Sequence, residues 1–487
     1  MLFNYSGALT KHRFLTIAGL VVLLLLSLWT FKRSGNVPQL SVPEQSIDSP
    51  SSDTQYATAS KIAEYMRAHP LDPSRFGEMG KRMQTLKDWI NHVETVTLSR
   101  QDQDKWSEMI ENVAITLVPF IKEPGSHSNK SLEQLRGRFV RGSEGLVITT
   151  GKKRFRYACH LILSLRHVLK SELPIQIAYA GENDLPKAYR DFIVGIAPGI
   201  TTFDVTTVFE DQTLNLPNGG WAIKAFAILG STFEQVMLLD ADDVFLQPPD
   251  VIFAEHPDYL KTGTLLFHDR LLWQGAFKER HAWWEKELEN TTLSDTIKQS
   301  KVFMEGYAEE GDSGVVVADK SRLDVFIGLL HIGWQNTRDV REAYTYRQGH
   351  GDKESWWFGF ELTETPYSME PHYAAITGHA KIGQDGNRED RVCSFTIAHV
   401  DHKARLLWFN GSFLKNKEID SVDFDVPTEW MIDGTWEKGA TKQDMSCMSG
   451  AEVQSIDQTI VQLLQDSVEL AKQTDDQLRA QIPESVP

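Results

Sequence analysis

The apolar spacing of the chain changes period several times, and each change marks a segment. No residue from Phe14 to Phe31 is charged, and Gly19 to Leu28 is almost wholly apolar. These 18 residues are just long enough for a helix that crosses a bilayer, for which roughly 17 is the lower limit. A cleaved signal peptide would end in small residues, whereas Trp29-Thr30-Phe31 lead into Lys32-Arg33, so the pattern predicts an uncleaved signal-anchor. Lys11 and Arg13 before the span nearly balance Lys32 and Arg33 after it; the short acid-free tail, residues 1–13, favours a cytosolic N-terminus and a luminal body. Residues 32–60 are rich in Ser, Pro, Gln and Thr and bury too little to order themselves, which predicts a stem. Three- and four-residue spacing then sets in, with Ile62, Tyr65 and Met66, then Met83, Leu86, Trp89, Ile90 and Val93. It predicts a helical segment over 61–140, packed on a main domain.

From Gly145 the period shortens. Gly145-Leu146-Val147-Ile148-Thr149-Thr150 reads as a strand, Phe155 to Leu169 as a helix and Ile175 to Ala180 as a second strand, a βαβ unit of a parallel sheet. Trp221 to Leu229 reads as a short helix feeding the strand Val236-Met237-Leu238-Leu239, which runs into Asp240-Ala241-Asp242-Asp243. Further strands are expected at Thr264–Phe267, at Val315–Ala318 and at Ser394–Ala398. Residues 141–440 therefore form the main domain, and 441–487 a polar extension with one helical stripe through Ile456, Ile460, Leu463, Leu464 and Leu470.

A length of 487 residues allows one large or two smaller cores. The formal net charge of −17 argues against nucleic acid, which needs a basic face. Cys159, Cys393 and Cys447 allow at most one disulfide, with Cys159 in an apolar helical pattern as a buried free thiol. Glycosylation sequons stand at Asn129, Asn290 and Asn410.

The chemistry concentrates at Asp240 and Asp242. In an open α/β sheet the carboxyl ends of strands form the ligand crevice. Adjacent acids there repel unless a cation lies between them, and alternate residues of an extended segment point the same way. An acidic turn with Asp243 as a helix cap would give the same letters. Thr149, Thr150 and Gly151 end the first strand where a nucleotide would lie, although no dinucleotide or P-loop pattern is present. Lys224 is close enough in sequence to contact a diphosphate. Asp312, in Glu309-Glu310-Gly311-Asp312-Ser313-Gly314, and Asp352 and Glu354, ahead of Trp356-Trp357, are candidates for orienting a hydroxyl. Tryptophans beside acids suit a sugar, and equally a core aromatic cluster. His399 and His402 end a strand, and imidazole is a common third metal ligand; position favours His399.

With Gly145-Leu146-Val147-Ile148-Thr149, Leu165-Arg166, Leu173-Pro174-Ile175, Lys224 to Leu229, Leu239-Asp240-Ala241-Asp242, Asp312 to Val316, Gly351-Asp352-Lys353-Glu354 and Leu407-Trp408-Phe409-Asn410-Gly411 in order, the chain resembles the fungal Golgi alpha-mannosyltransferase family of mannan synthesis. That family includes alpha-1,2- and alpha-1,3-mannosyltransferases. The resemblance implies a glycosyltransferase A-type fold, a Rossmann-like mixed sheet with helices on both faces. It implies a single-pass type II Golgi membrane enzyme that moves mannose with retention from GDP-mannose to a mannosylated glycan or glycoprotein, using Mn²⁺ or Mg²⁺. Asp240, Asp242 and His399 would hold the metal; Thr149, Thr150, Gly151 and Lys224 would line the donor site. Leu266-Phe267-His268-Asp269-Arg270 departs from the tryptophan-rich strand frequent in the family and leaves the linkage open. Two rivals remain: a silent sugar-binding partner in a Golgi complex, and a haloacid-dehalogenase-like phosphatase with Asp240 as nucleophile. The latter motif usually opens its domain, whereas here a βαβ unit precedes it.

Overall fold

The computed structural model describes residues 52–486 apart from 384, 385, 387, 420 and 421. The expected tail, anchor and most of the stem lie outside these residues. Among the described residues no helix is long and apolar enough to cross a membrane.

The strands of the main domain are β1 (Val140–Thr149), β2 (Ile175–Tyr179), β3 (Ile200–Asp204), β4 (Phe233–Asp240), β5 (Asp243–Phe245), β6 (Thr264–His268) and β7 (Gly311–Asp319). A six-stranded sheet has the order β3-β2-β1-β4-β7-β6. β3, β2, β1 and β4 are parallel to one another, while β7 runs antiparallel to both β4 and β6. The sheet is thus mixed. Leu146, Val147 and Ile148 of β1 and Val236 to Leu239 of β4 are wholly buried, which explains their uninterrupted apolar runs: helices cover both faces of the sheet. One face packs on helices Phe76–Thr95, Leu323–Gln335 and Lys353–Leu362, the other on helix Phe155–Leu163.

Eight more strands follow: β8 (Ile376–Ile382), β9 (Arg388–Ser394), β10 (Ile397–Val400), β11 (Leu406–Asn410), β12 (Glu429–Met431), β13 (Thr435–Glu437), β14 (Ser446–Ser449) and β15 (Gln454–Ser455). They form a three-stranded sheet, β10-β11-β5, and a six-stranded sheet, β13-β14-β9-β8-β12-β15. The small sheet matters most. β5 continues the acidic strand and pairs with β11, Asp243 facing Asn410, which brings residues after Asn410 over the end of β4.

Two expected boundaries are corrected. Helix Ser52–Ala68 takes up residues expected in the stem. It turns Ala59, Ala63 and Met66 inward and leaves Ile62 and Tyr65 exposed, so two alanines and a methionine make its packing face. The helical segment shares the main core: an added Cβ at Gly80 would stand 2.3 Å from the Leu362 carbonyl oxygen. The division at 440/441 cuts a sheet, since β14 pairs with both β13 and β9, and a Cys393–Cys447 disulfide joins β9 to β14. Cys159 is a buried free thiol. Helix Gln458–Gln481 is likewise integral. Asp475, 2% exposed, accepts from Arg156 Nε at 2.7 Å and lies 2.9 Å from His160 Nε2, both on the helix that follows β1.

Candidate active site

Asp240 ends β4 beside Thr149 of β1, in the crevice where the parallel strands finish. Its Oδ1 lies 2.7 Å from Nζ of Lys224. Lys224 is itself buried and donates to the Ser313 carbonyl at 3.0 Å and to Ser313 Oγ at 3.2 Å. Helix Ile223–Gly230 aims this lysine across the ends of β4 and β7. Burial alone would lower its pKa, but Asp240 and then Asp352 raise it above the ordinary value, so Lys224 is a fixed cation. Asp240 is pushed up to about 6, by burial first and then by Asp242 and Asp352, against the opposing pull of Lys224.

Asp242 has a different counter-ion. Its carboxylate pairs with Lys417 Nζ, which also lies 3.1 Å from Asn410 Oδ1. Its backbone carbonyl accepts from Gly411 N at 3.2 Å and Ser412 N at 2.8 Å. Burial works against ionisation, yet Lys417 and Arg154 hold the carboxyl below the usual range. Arg154 stands on the turn after β1 and also pairs with Glu418 at 3.3 Å. Thr150 and Gly151 belong to the same turn: Thr150 N donates to Ala178 O at 3.2 Å, and a Cβ on Gly151 would come 2.1 Å from Asp184 Oδ1. Asp243 does not cap a helix. Its Oδ2 accepts from Asp240 N at 2.9 Å, and its Oδ1 is buried without a partner. Burial, Asp240 and Asp242 raise its pKa well above the ordinary value.

The remaining expected residues divide. Asp352 stays at the site, with Oδ1 3.9 Å from Lys224 Nζ and Oδ2 accepting from Trp356 Nε1 at 2.8 Å. Glu354 does not: Oε1 accepts from Glu310 N at 3.0 Å and Oε2 from Trp357 Nε1 at 2.6 Å. Burial, then Glu309, pushes it up to about 8. It braces helix Lys353–Leu362 from within. Trp356 and Trp357, each 1% exposed, belong to the core and face no sugar. His399 does not join Asp240 and Asp242. Buried, it stacks on Trp408 with ring centroids 4.1 Å apart, and its Nε2 lies 3.1 Å from Asp312 Oδ2. Asp312 Oδ1 also accepts from Gly314 N at 3.0 Å, and despite burial Lys353 and His399 hold its carboxyl far below the usual range. Gly314 is required there, because a Cβ would stand 2.8 Å from the Trp408 ring.

Among the described residues no three His, Cys, Asp or Glu side chains are grouped to hold a metal ion. Asp240 and Asp242 nevertheless offer hard oxygens, and the excess of carboxylates that raises Asp240 and Asp243 fits a divalent cation. Magnesium-type sites use one or two carboxylates and take their other ligands from substrate phosphates and water. The residues therefore fit an open two-carboxylate site without His399.

Lys417 and Arg154 were not expected. Both lie in polar turns without periodicity; only the density of basic residues in Lys152-Lys153-Arg154 and Lys415-Asn416-Lys417 hinted at them. Asn410 Oδ1 accepts from Lys417 Nζ at 3.1 Å. Asn129 and Asn290 are exposed.

A mixed α/β sheet with paired acids and lysines at the carboxyl ends of its parallel strands places these groups in the crevice where such folds bind ligands. The sequence-family model described as "Mannosyltransferase putative" matches residues 143–401, and the chain belongs to that family. An alpha-1,3-mannosyltransferase of Saccharomyces cerevisiae (MNT3) is 29% identical over 298 residues, 55% of this chain and 46% of its own length. A second from the same yeast (MNN1) is 24% identical over 348 residues, 60% of this chain and 43% of its own. The chain thus spans about half the length of the curated relatives it matches. A galactosyltransferase crystal structure with donor and acceptor sugar analogues overlaps 46% of this chain and 72% of its own at 14% identity, with a TM-score of only 0.29.

Proposed function

We propose that this chain transfers mannose from GDP-mannose to a mannoside acceptor with retention of the anomeric configuration, forming an alpha-1,3 linkage. The observation that carries this reading is the pairing of Asp240 with Lys224 and Asp242 with Lys417 at the end of β4, inside and beside the family match. The linkage follows the names of the relatives.

Thr149, Thr150 and Gly151 line the nucleotide side, where Gly151 lets the turn pass close to Asp184. Lys224 and Lys417 flank the diphosphate, and their fixed positive charge stabilises the departing GDP. Asp240 and Asp242 hold Mn²⁺ or Mg²⁺, which when bound supplies Lewis-acid neutralisation of the same leaving group. Asp352 orients the acceptor hydroxyl. Asp312 acts at one remove, fixing His399 and the Gly314 turn. Glu354 supports the helix that carries Asp352.

We place the enzyme in the Golgi as a type II membrane protein with a luminal body. The apolar span at 14–31 supports this, as does the Cys393–Cys447 disulfide, which suits an oxidising lumen. The test incubates purified chain with GDP-mannose, Mn²⁺ and a methyl alpha-mannoside, with NMR of the product. An alpha-1,3-linked disaccharide, lost in EDTA, is expected. Absence of transfer overturns the function, full activity in EDTA overturns the metal, and another linkage overturns that assignment alone.

A further inference from the structure

With Trp356 and Trp357 buried, a different tryptophan is placed to meet a sugar. Trp221 is 47% exposed. It precedes Lys224 by three residues, close to one helical turn, where the short helix Gly220–Ala222 runs into Ile223–Gly230. Its indole lies over Gly351, where an added Cβ would fall 2.7 Å from Cε3. Gly351, at φ +72°, adjoins Asp352, whose Oδ1 is 3.9 Å from Lys224 Nζ. Trp221 therefore sits one residue from the carboxylate proposed to orient the acceptor and one turn from the lysine on the donor side.

The ring is braced. His350 stands 5.0 Å away, centroid to centroid, at 56°, and Tyr346 at 6.3 Å and 71°. Tyr346 is anchored in turn by its hydroxyl, 3.3 Å from Asn336 Oδ1. A large apolar ring left half in water costs hydrophobic free energy. Bracing fixes its orientation in advance, so a ligand stacking on the open face loses little further freedom. The exposed indole matches the C–H face of a pyranoside, with the buried carboxylate of Asp352 behind Gly351.

We propose that Trp221 is the platform on which the acceptor mannoside stacks, a positioning residue that sets the reacting hydroxyl against Asp352. This rests on the mannosyl-transfer reading above. The closing experiment separates the two.

Trp221→Ala, Trp221→Phe and the wild-type full chain in detergent are compared in two assays. The first is saturation-transfer NMR with alpha-mannobiose in the absence of nucleotide; the second is transfer kinetics with donor and acceptor varied separately. The expected result is mannobiose binding by the wild type that Trp221→Ala weakens about tenfold, or about 1.4 kcal/mol. Acceptor KM should rise to match, donor KM should stay within about twofold, and Trp221→Phe should restore most of the loss. Binding that depends on Trp221 in a chain that transfers no mannose would keep the platform and sink the transfer reading. An unchanged acceptor affinity in Trp221→Ala, a shift in donor KM instead, or no mannobiose binding by the wild type would overturn the platform.

Discussion

Replacing Lys224 by methionine keeps the length of the side chain and removes its charge. The ammonium is 2.7 Å from Asp240, 3.0 Å from the Ser313 carbonyl and 3.9 Å from Asp352. Removing one partner of a buried ion pair costs about 3–5 kcal/mol, because the other charge stays behind in low dielectric. The unit Tyr56–Pro487 has about 430 residues, and at about 2.1 cal/mol/K per residue its unfolding entropy is about 0.9 kcal/mol/K. Calorimetry of the ligand-free chain at pH 8 should therefore show Lys224→Met melting about 3–5 °C below wild type. The pH dependence has a definite sign. Asp240 already stands at about 6 with Lys224 beside it, and without the lysine it rises further. A carboxyl raised in the folded state destabilises above its folded pKa and is relieved as the pH falls through it. The deficit of Lys224→Met should thus shrink between pH 8 and pH 5, and the double variant with Asp240→Asn should recover part of it at pH 8. A deficit below about 1 °C at pH 8, or one that grows on acidification, would refute the assigned electrostatics.

Asp242→Ala should reduce mannosyl transfer by about 10³-fold, while its melting temperature stays close to wild type because the freed Lys417 can extend to solvent; kinetics and calorimetry on one preparation check both. Lys417→Met should raise donor KM by about 10- to 100-fold, the loss of one charge-assisted bond of about 1.5–3 kcal/mol, with acceptor KM little changed. The Cys393–Cys447 loop spans 54 residues, so Cys393→Ser with Cys447→Ser should lose about 4 kcal/mol on a chain-entropy account, read as a lower denaturant midpoint.

The acidic strand was legible because Val236 to Leu239 are buried on both faces, a condition that writes itself into the letters as an apolar run. Lys224 was legible by adjacency, one short helix before that strand. His399 was misplaced for a reason no single sequence reveals. A strand end fixes the height of a side chain in the sheet, whereas its partner, Asp312, comes from β7 and is 87 positions away. Glu354 misled in the same way: an acid before two tryptophans looks like a sugar site until helical spacing sends the carboxylate to Trp357 of its own helix, three residues on. Lys417 left almost no trace, since the pairing of β5 with β11 that brings it to Asp242 depends on contacts between distant short strands. The stem boundary differs because Ala59 and Ala63, small residues within a Ser- and Thr-rich stretch, carry much of the packing of helix Ser52–Ala68.

The helix that follows β1 takes a buried contact from Asp475, which reaches Arg156 and His160 from the opposite end of the sequence. During synthesis, that early crossover would emerge some three hundred residues before the carboxylate that meets it. That contact forms only once the last long helix, Gln458–Gln481, has been made.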